Sequence, residues 1–169
     1  MTMIAWLPPT FVVDQHSANA SNNPIRIVIK RGVPCPAAIM IQEYREWCFK
    51  ARFWIPALAA GIALQLLLWT IIPFFMAGPA ALLITRVGPL HRRLEIDGVA
   101  ADIEVAVRHY GADRDAYTTK KAQARRNYSQ FKGMTLDAIL RLIASRQKAA
   151  AIYVARRESR IAFYRRKLG

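Results

Sequence analysis

The residues with most chemistry to offer fall in two short runs. Ile41-Gln42-Glu43-Tyr44-Arg45-Glu46-Trp47 sets two carboxylates three positions apart, and His91-Arg92-Arg93-Leu94-Glu95 sets an imidazole and a carboxylate four apart. Such spacings put both members on one helical face. If the two faces meet, Glu43, Glu46, Glu95 and His91 compose a Glu/Glu/His/Glu cluster of the kind that helical carboxylate metal sites use. The other histidines, His16 and His109, stand in no HxH or HxxxH pair. Nucleophile-elbow, P-loop and dinucleotide-binding glycine patterns are absent, which excludes the common hydrolase and nucleotide motifs. Cys35 and Cys48 form no CxxC pair, so neither a zinc knuckle nor a disulfide scaffold is supported and reduced thiols are expected.

A second chemistry is written in charge. The chain of 169 residues carries a net +14. Its C-terminal third is dense in arginine: Arg125, Arg126, Arg156, Arg157, Arg160, Arg165 and Arg166, with Lys120, Lys121 and Lys148 between. Tyr117, Tyr128, Tyr153, Phe163 and Tyr164 are interleaved with them and supply planar surfaces. Phosphate contact and base stacking use this combination. Anionic lipid headgroups attract the same residues at ~1 kcal/mol each near a bilayer surface. The expected polyanion is therefore an anionic lipid or an acidic protein, with nucleic acid less favoured. No cofactor, metal or small-molecule substrate is expected.

These residues need elements to hold them. Thr10–Asp14 and Ile25–Lys30 are β-prone and read as a strand pair, with Gln15–Pro24 as a loop between them. Pro36 opens a helix over 37–51 that carries Glu43 and Glu46. Gly88-Pro89 opens another, stopping at Gly111, that carries His91 and Glu95. Asp113 or Asp115 caps a third, which ends near Gly133. Thr135 caps a last helical stretch reaching the C-terminus as one helix or two end to end.

Between the two carboxylate-bearing helices lies an uncharged run, Phe53 to Thr85, fenced by Arg52 and Arg86. Roughly 20 apolar residues span a bilayer. The Leu, Ile and Phe residues of 57–77 sum to roughly 3 to 6 kcal/mol in favour of insertion, from which Gln65 and Pro73 subtract. Three arrangements are open: a single transmembrane helix, a hairpin with both ends cytoplasmic, or a hairpin buried by neighbouring protein, for which Pro56, Pro73, Gly78 and Pro79 provide breaks. Residues 1–52 hold six Lys/Arg and three Asp/Glu, while 86–169 hold nineteen and eight. That bias places the C-terminal region in the cytoplasm if the run crosses once. The N-terminus shows no signal-peptide pattern, because Pro8-Pro9 interrupts its short apolar stretch.

The run around Glu43 resembles the metal-binding helix of zincin-like metallopeptidase-type proteins of phages and bacteria, in which strand, turn and an HExxH helix precede an apolar segment. In that motif two histidines at i and i+4 hold zinc and the glutamate between polarises water. Gln42 and Glu46 stand here in the histidine positions and only Glu43 matches. Arg93-Leu94-Glu95-Ile96-Asp97-Gly98 resembles the downstream glutamate helix, with Glu95 in the ligand position. The resemblance spans residues 25–110 and implies a lost peptidase site, since an amide and two carboxylates suit zinc poorly.

The expected fold is mainly α with a small N-terminal β-strand pair, an apolar helical hairpin or single transmembrane helix, and a basic helical C-terminal region. The boundaries fall at 1–52, 53–85 and 86–169. The function this implies is a non-catalytic, zincin-like, membrane-associated accessory protein that binds an acidic partner or anionic lipid through its basic helices. The alternatives are a phage virion or assembly component whose hairpin neighbouring subunits bury, and a metallopeptidase with a carboxylate-rich site at Glu43, Glu46 and Glu95.

Overall fold

The β-branched residues of 26–30 form a backbone ladder on both sides. In the computed structural model, which describes residues 10–14, 20–22, 26–68, 76 and 88–168, β1 (Thr10–Asp14) lies parallel to β3 (Arg26–Lys30) and β2 (Ala20–Asn22) lies antiparallel to it. The sheet order is β1-β3-β2. The sheet thus has three strands where a pair was expected. Ala20–Asn22, inside the segment read as a loop, is short and polar, and it joins the second edge of β3 with Ser21 opposite Val28. Ile27 and Ile29 are fully buried.

Helix α1 (Pro36–Leu68) opens at its proline, whose missing N–H is no loss there. Cys35, in the left-handed region at φ 55°, presents its carbonyl to the amides of Ala38 and Ile39 at 3.0 and 3.3 Å. The helix continues through Pro56, so the break expected there does not occur, and the expected boundary after residue 52 falls inside it. Helix α2 (Gly88–Tyr110) follows, ending at Gly111, whose φ of 65° allows the turn. Asp113 caps α3 (Arg114–Arg126) by accepting from the Ala116 amide at 2.7 Å. A 3₁₀ turn at Ser129–Phe131 buries Phe131. Thr135 caps α4 (Leu136–Ala155) by accepting from the Ala138 amide at 3.2 Å. The last stretch is two helices, α4 and α5 (Glu158–Leu168), with Arg156-Arg157 at the joint.

Helix α2 is the centre. Ala101, Val105 and Ala106 join Ile27, Ile29, Met40, Ile41 and Tyr44 with Val154, Ile161 and Tyr164 of the last two helices in one buried cluster. Ile96, Val99 and Ile103 join Ala122, Phe131, Ile139 and Ile143 in a second. Residues from 1–52 and from 86–169 therefore share a core. At Gly98 the backbone of α2 comes so near α1 that an added Cβ would lie 2.9 Å from Cγ of Gln42.

Among the described residues no helix is long and apolar enough to cross a membrane, so the single transmembrane helix is not supported. From Phe53 to the end of α1 at Leu68, the uncharged stretch covers about 24 Å at 1.5 Å per residue, short of the ~30 Å hydrocarbon core. The remainder of the apolar run, apart from Met76, lies outside the described residues, and with it the hairpin turn expected at Gly78-Pro79. The described end of α1 is nonetheless apolar and open: Ile62, Leu64, Leu66 and Leu67 are exposed, the last two at 73% and 74%.

Candidate functional site

Six acids of this basic chain, Glu43, Glu46, Glu95, Asp97, Asp102 and Glu104, lie on α1 and α2. Glu43, Glu46, Glu95, Asp102 and Glu104 are all buried. Carboxylates leave water only when paired or protonated, and both solutions are present. Asp102 accepts from the Tyr117 hydroxyl at 3.0 Å and from the Lys121 ammonium. Glu104 takes Arg108 at 2.7 Å and Arg114 at 3.2 Å. Asp97 joins Arg45 of α1 at 3.3 Å and Arg146 of α4 at 2.8 Å, while Arg45 also donates to the Asp97 carbonyl at 3.1 Å. Each acid of α2 thus ties a basic residue of its own or a neighbouring helix to the centre.

Glu95 is different. Arg125 of α3 places Nε 3.1 Å from its Oε2. A guanidinium at that distance favours the carboxylate, yet burial and the adjacent Glu46 and Glu43 of α1 outweigh it and push the Glu95 carboxyl up to about 8. Glu46 hydrogen-bonds Glu95, adding to the rise. His91 Nε2 lies 4.0 Å from the Glu95 carboxylate, beyond hydrogen-bond reach.

The structure therefore brings together Glu43, Glu46, Glu95 and His91, which the sequence set on two helical faces. Among the described residues, however, no group of three His, Cys, Asp or Glu is arranged to hold a metal ion. The donor set also carries its own cation, Arg125. A fixed guanidinium beside Glu95 does what a divalent ion would do electrostatically, and it repels one. Gln42, in the first histidine position, packs at the Gly98 crossing. His109 instead joins the end of α2 to Glu158 at 3.0 Å, and His16 lies outside the described residues.

The arginines expected to meet a polyanion divide. Arg125 is buried on Glu95, with its guanidinium 4.7 Å from the Tyr128 ring centre. Arg160 donates to the Tyr44 hydroxyl and stacks on that ring, and Arg157 stacks on Tyr153 at 4.2 Å. Arg126, Arg156 and Arg166 are exposed, and their side chains make no ion pair with a described residue, while the exposed Arg165 leans over Tyr110 at 5.5 Å. Asp113, Asp115, Asp137 and Glu158 are the acids exposed on α3, α4, α5 and the turn before α3.

The aromatic rings are mostly taken. Tyr164 is buried, Tyr153 lies under both Arg45 and Arg157, and Tyr117 is engaged by Asp102. Burial raises the hydroxyl pKa of Tyr117 and Tyr164, and pushes that of Tyr153 up to about 12. Only Tyr128 and Phe163 stay exposed among the rings expected to stack on bases. Cys35 and Cys48 are free thiols, both raised in pKa by burial.

What the sequence reading missed is the internal role of Arg125 and of the α2 acids. One signal was available: Glu95, Asp97, Asp102 and Glu104 fall within three turns of one helix in a chain otherwise rich in base. Compared with known protein families, curated proteins and solved structures, the chain finds no match.

Proposed function

We propose that the protein is a non-catalytic, membrane-associated accessory protein that holds an anionic lipid surface through its basic C-terminal helices, with a zincin-like helix pair converted to a structural role. The observation that carries this is the segregation of charge. Glu43, Glu46, Glu95, Asp102 and Glu104 are buried where α1 and α2 meet the other helices, while Arg126, Arg156, Arg165 and Arg166 face solvent in a molecule that also exposes Leu66 and Leu67. Exposed basic side chains and exposed apolar ones are the two kinds of signal that attach a protein to a bilayer surface, and stable attachment takes two. The internal use of Tyr153 and Tyr164 favours lipid over nucleic acid, since a base-stacking surface needs open rings. The C-terminal region then lies on the cytoplasmic face, where anionic lipid is found.

Flotation of the full chain with vesicles tests this reading. Vesicles of phosphatidylcholine with phosphatidylglycerol should carry the protein upward in low salt, and vesicles of phosphatidylcholine alone should carry far less. Equal recovery with both would contradict it.

The enzyme alternative is favoured by one observation, the meeting of Glu43, Glu46 and Glu95, and opposed by Arg125. Protein purified without added metal should hold no stoichiometric zinc and cleave no peptide. Near one equivalent of zinc, lost on Glu95→Ala, would restore the metallopeptidase. The virion or assembly alternative rests on the same exposed Leu66 and Leu67, which a neighbouring subunit could cover. A detergent-free soluble oligomer that ignores vesicles would favour it.

A further inference from the structure

A cleft lies between the start of α2 and the middle of α4. It is lined by Pro89, Arg92, Arg93, Ile96, Ser145 and Arg146, and its volume is about 450 Å³. That is within the ~300–1,000 Å³ usual for small-ligand sites and larger than a bare phosphate needs. Three guanidiniums converge on it from two helices, and two of them are fixed. Arg92 donates through Nε to the Gln130 carbonyl at 2.8 Å, and Arg146 pairs through Nε with Asp97 at 2.8 Å. Anchoring through Nε leaves each terminal fork of two amino groups to face a ligand, already oriented. Arg93 is exposed and makes no hydrogen bond or ion pair with any described residue. Its lining residues include no acid, and Asp97, which Arg146 engages, is also matched by Arg45, so the cleft keeps a net positive charge. Ser145 also lines the cleft, but its hydroxyl hydrogen is directed to the Leu142 carbonyl at 2.7 Å, so the guanidiniums are the donors the cleft offers. The first turn of α2 brings the positive end of a helix dipole to the same wall.

From this geometry we infer that the cleft binds a phosphomonoester group, with Arg92 and Arg146 as fixed forks and Arg93 as the closing cation. Arginine suits such a dianion because its planar fork meets two oxygens at once. Leu142 and Ile96 form an apolar floor beneath the forks, which suits a ligand with carbon attached to its phosphate rather than an inorganic ion alone. The ligand is a phosphorylated lipid headgroup or a free organic phosphate, since both present the same group. The site is independent of the exposed arginines of α3 to α5, so it stands or falls apart from the vesicle reading above.

Isothermal titration of the full chain with glycerol 3-phosphate, followed by flotation with vesicles containing phosphatidic acid or, at equal surface charge, phosphatidylglycerol, tests it. Glycerol 3-phosphate should bind saturably at one site. Arg93→Gln should weaken it at least fivefold, with the melting temperature unchanged. Arg166→Gln should leave titration untouched. A preference for phosphatidic acid that Arg93→Gln removes identifies lipid as the source, and saturable glycerol 3-phosphate binding without that preference identifies a free phosphate. Absence of saturable binding, binding indifferent to Arg93→Gln, or displacement of glycerol 3-phosphate by a DNA duplex at lower phosphate concentration would overturn the assignment.

Discussion

Glu95 carries the sharpest residue-scale consequence. Its carboxyl sits near 4.5 in an unfolded chain and about 8 in the fold, so between those values the folded state holds a proton that the unfolded state has released. Stability therefore falls as pH rises through that window, at no more than ~1.4 kcal/mol per pH unit. Melting temperature measured from pH 5 to 8.5 should decline, and Glu95→Gln, which keeps a neutral side chain, should flatten the decline. A wild-type profile that rises over that range would contradict a protonated Glu95. Arg125 offers a second contrast at the same site. Arg125 is buried against Glu95 and the Tyr128 ring, and leaving buried polar groups without their partner costs ~1–3 kcal/mol, whereas an exposed surface change stays within about 0.5 kcal/mol. Urea unfolding should thus show Arg125→Gln destabilised and Arg126→Gln near wild type, although the two neighbours look alike in sequence.

At the scale of elements, the α1–α2 crossing holds Glu43, Glu46 and Glu95 in place, and Gly98 sets its closeness. Alanine there would gain up to ~1 kcal/mol of helix propensity, but its Cβ would meet Gln42 Cγ at 2.9 Å. Overpacking at ~1–3 kcal/mol wins, so Gly98→Ala should lower the urea midpoint. An unchanged or raised midpoint would mean the helices separate without cost. Much of this level was legible in advance. Pro36, Asp113 and Thr135 start helices where capping chemistry places them, and Gly111 ends one. Ala20–Asn22 was not legible, because a three-residue polar edge strand owes its pairing to β3 rather than to its own pattern. The passage of α1 through Pro56 was hidden for a similar reason: a proline costs ~3 kcal/mol locally, and helix on either side of it can absorb that. Nor could sequence show that Arg125 turns inward, since a helix with arginines at adjacent positions does not announce which one meets the acid of another helix.

The whole molecule presents Arg126, Arg156, Arg165 and Arg166 on a basic surface, outside a centre that buries Glu43, Glu46, Glu95, Asp102 and Glu104. Its apolar counterpart is the open end of α1. Leu67→Arg places a charge where insertion is penalised by roughly 2.5 to 3.5 kcal/mol at full depth, and less in the interfacial geometry proposed here, so vesicle recovery should fall while the melting temperature holds. The most direct measurement is the salt dependence of binding to phosphatidylglycerol vesicles, for wild type and for a variant with Arg126, Arg156, Arg165 and Arg166 changed to glutamine. Counterion release predicts a steep loss of wild-type affinity between 50 and 200 mM salt, roughly tenfold or more, and a much flatter line for the variant. Parallel lines for the two proteins, or wild-type binding indifferent to salt, would contradict an anionic surface as the partner.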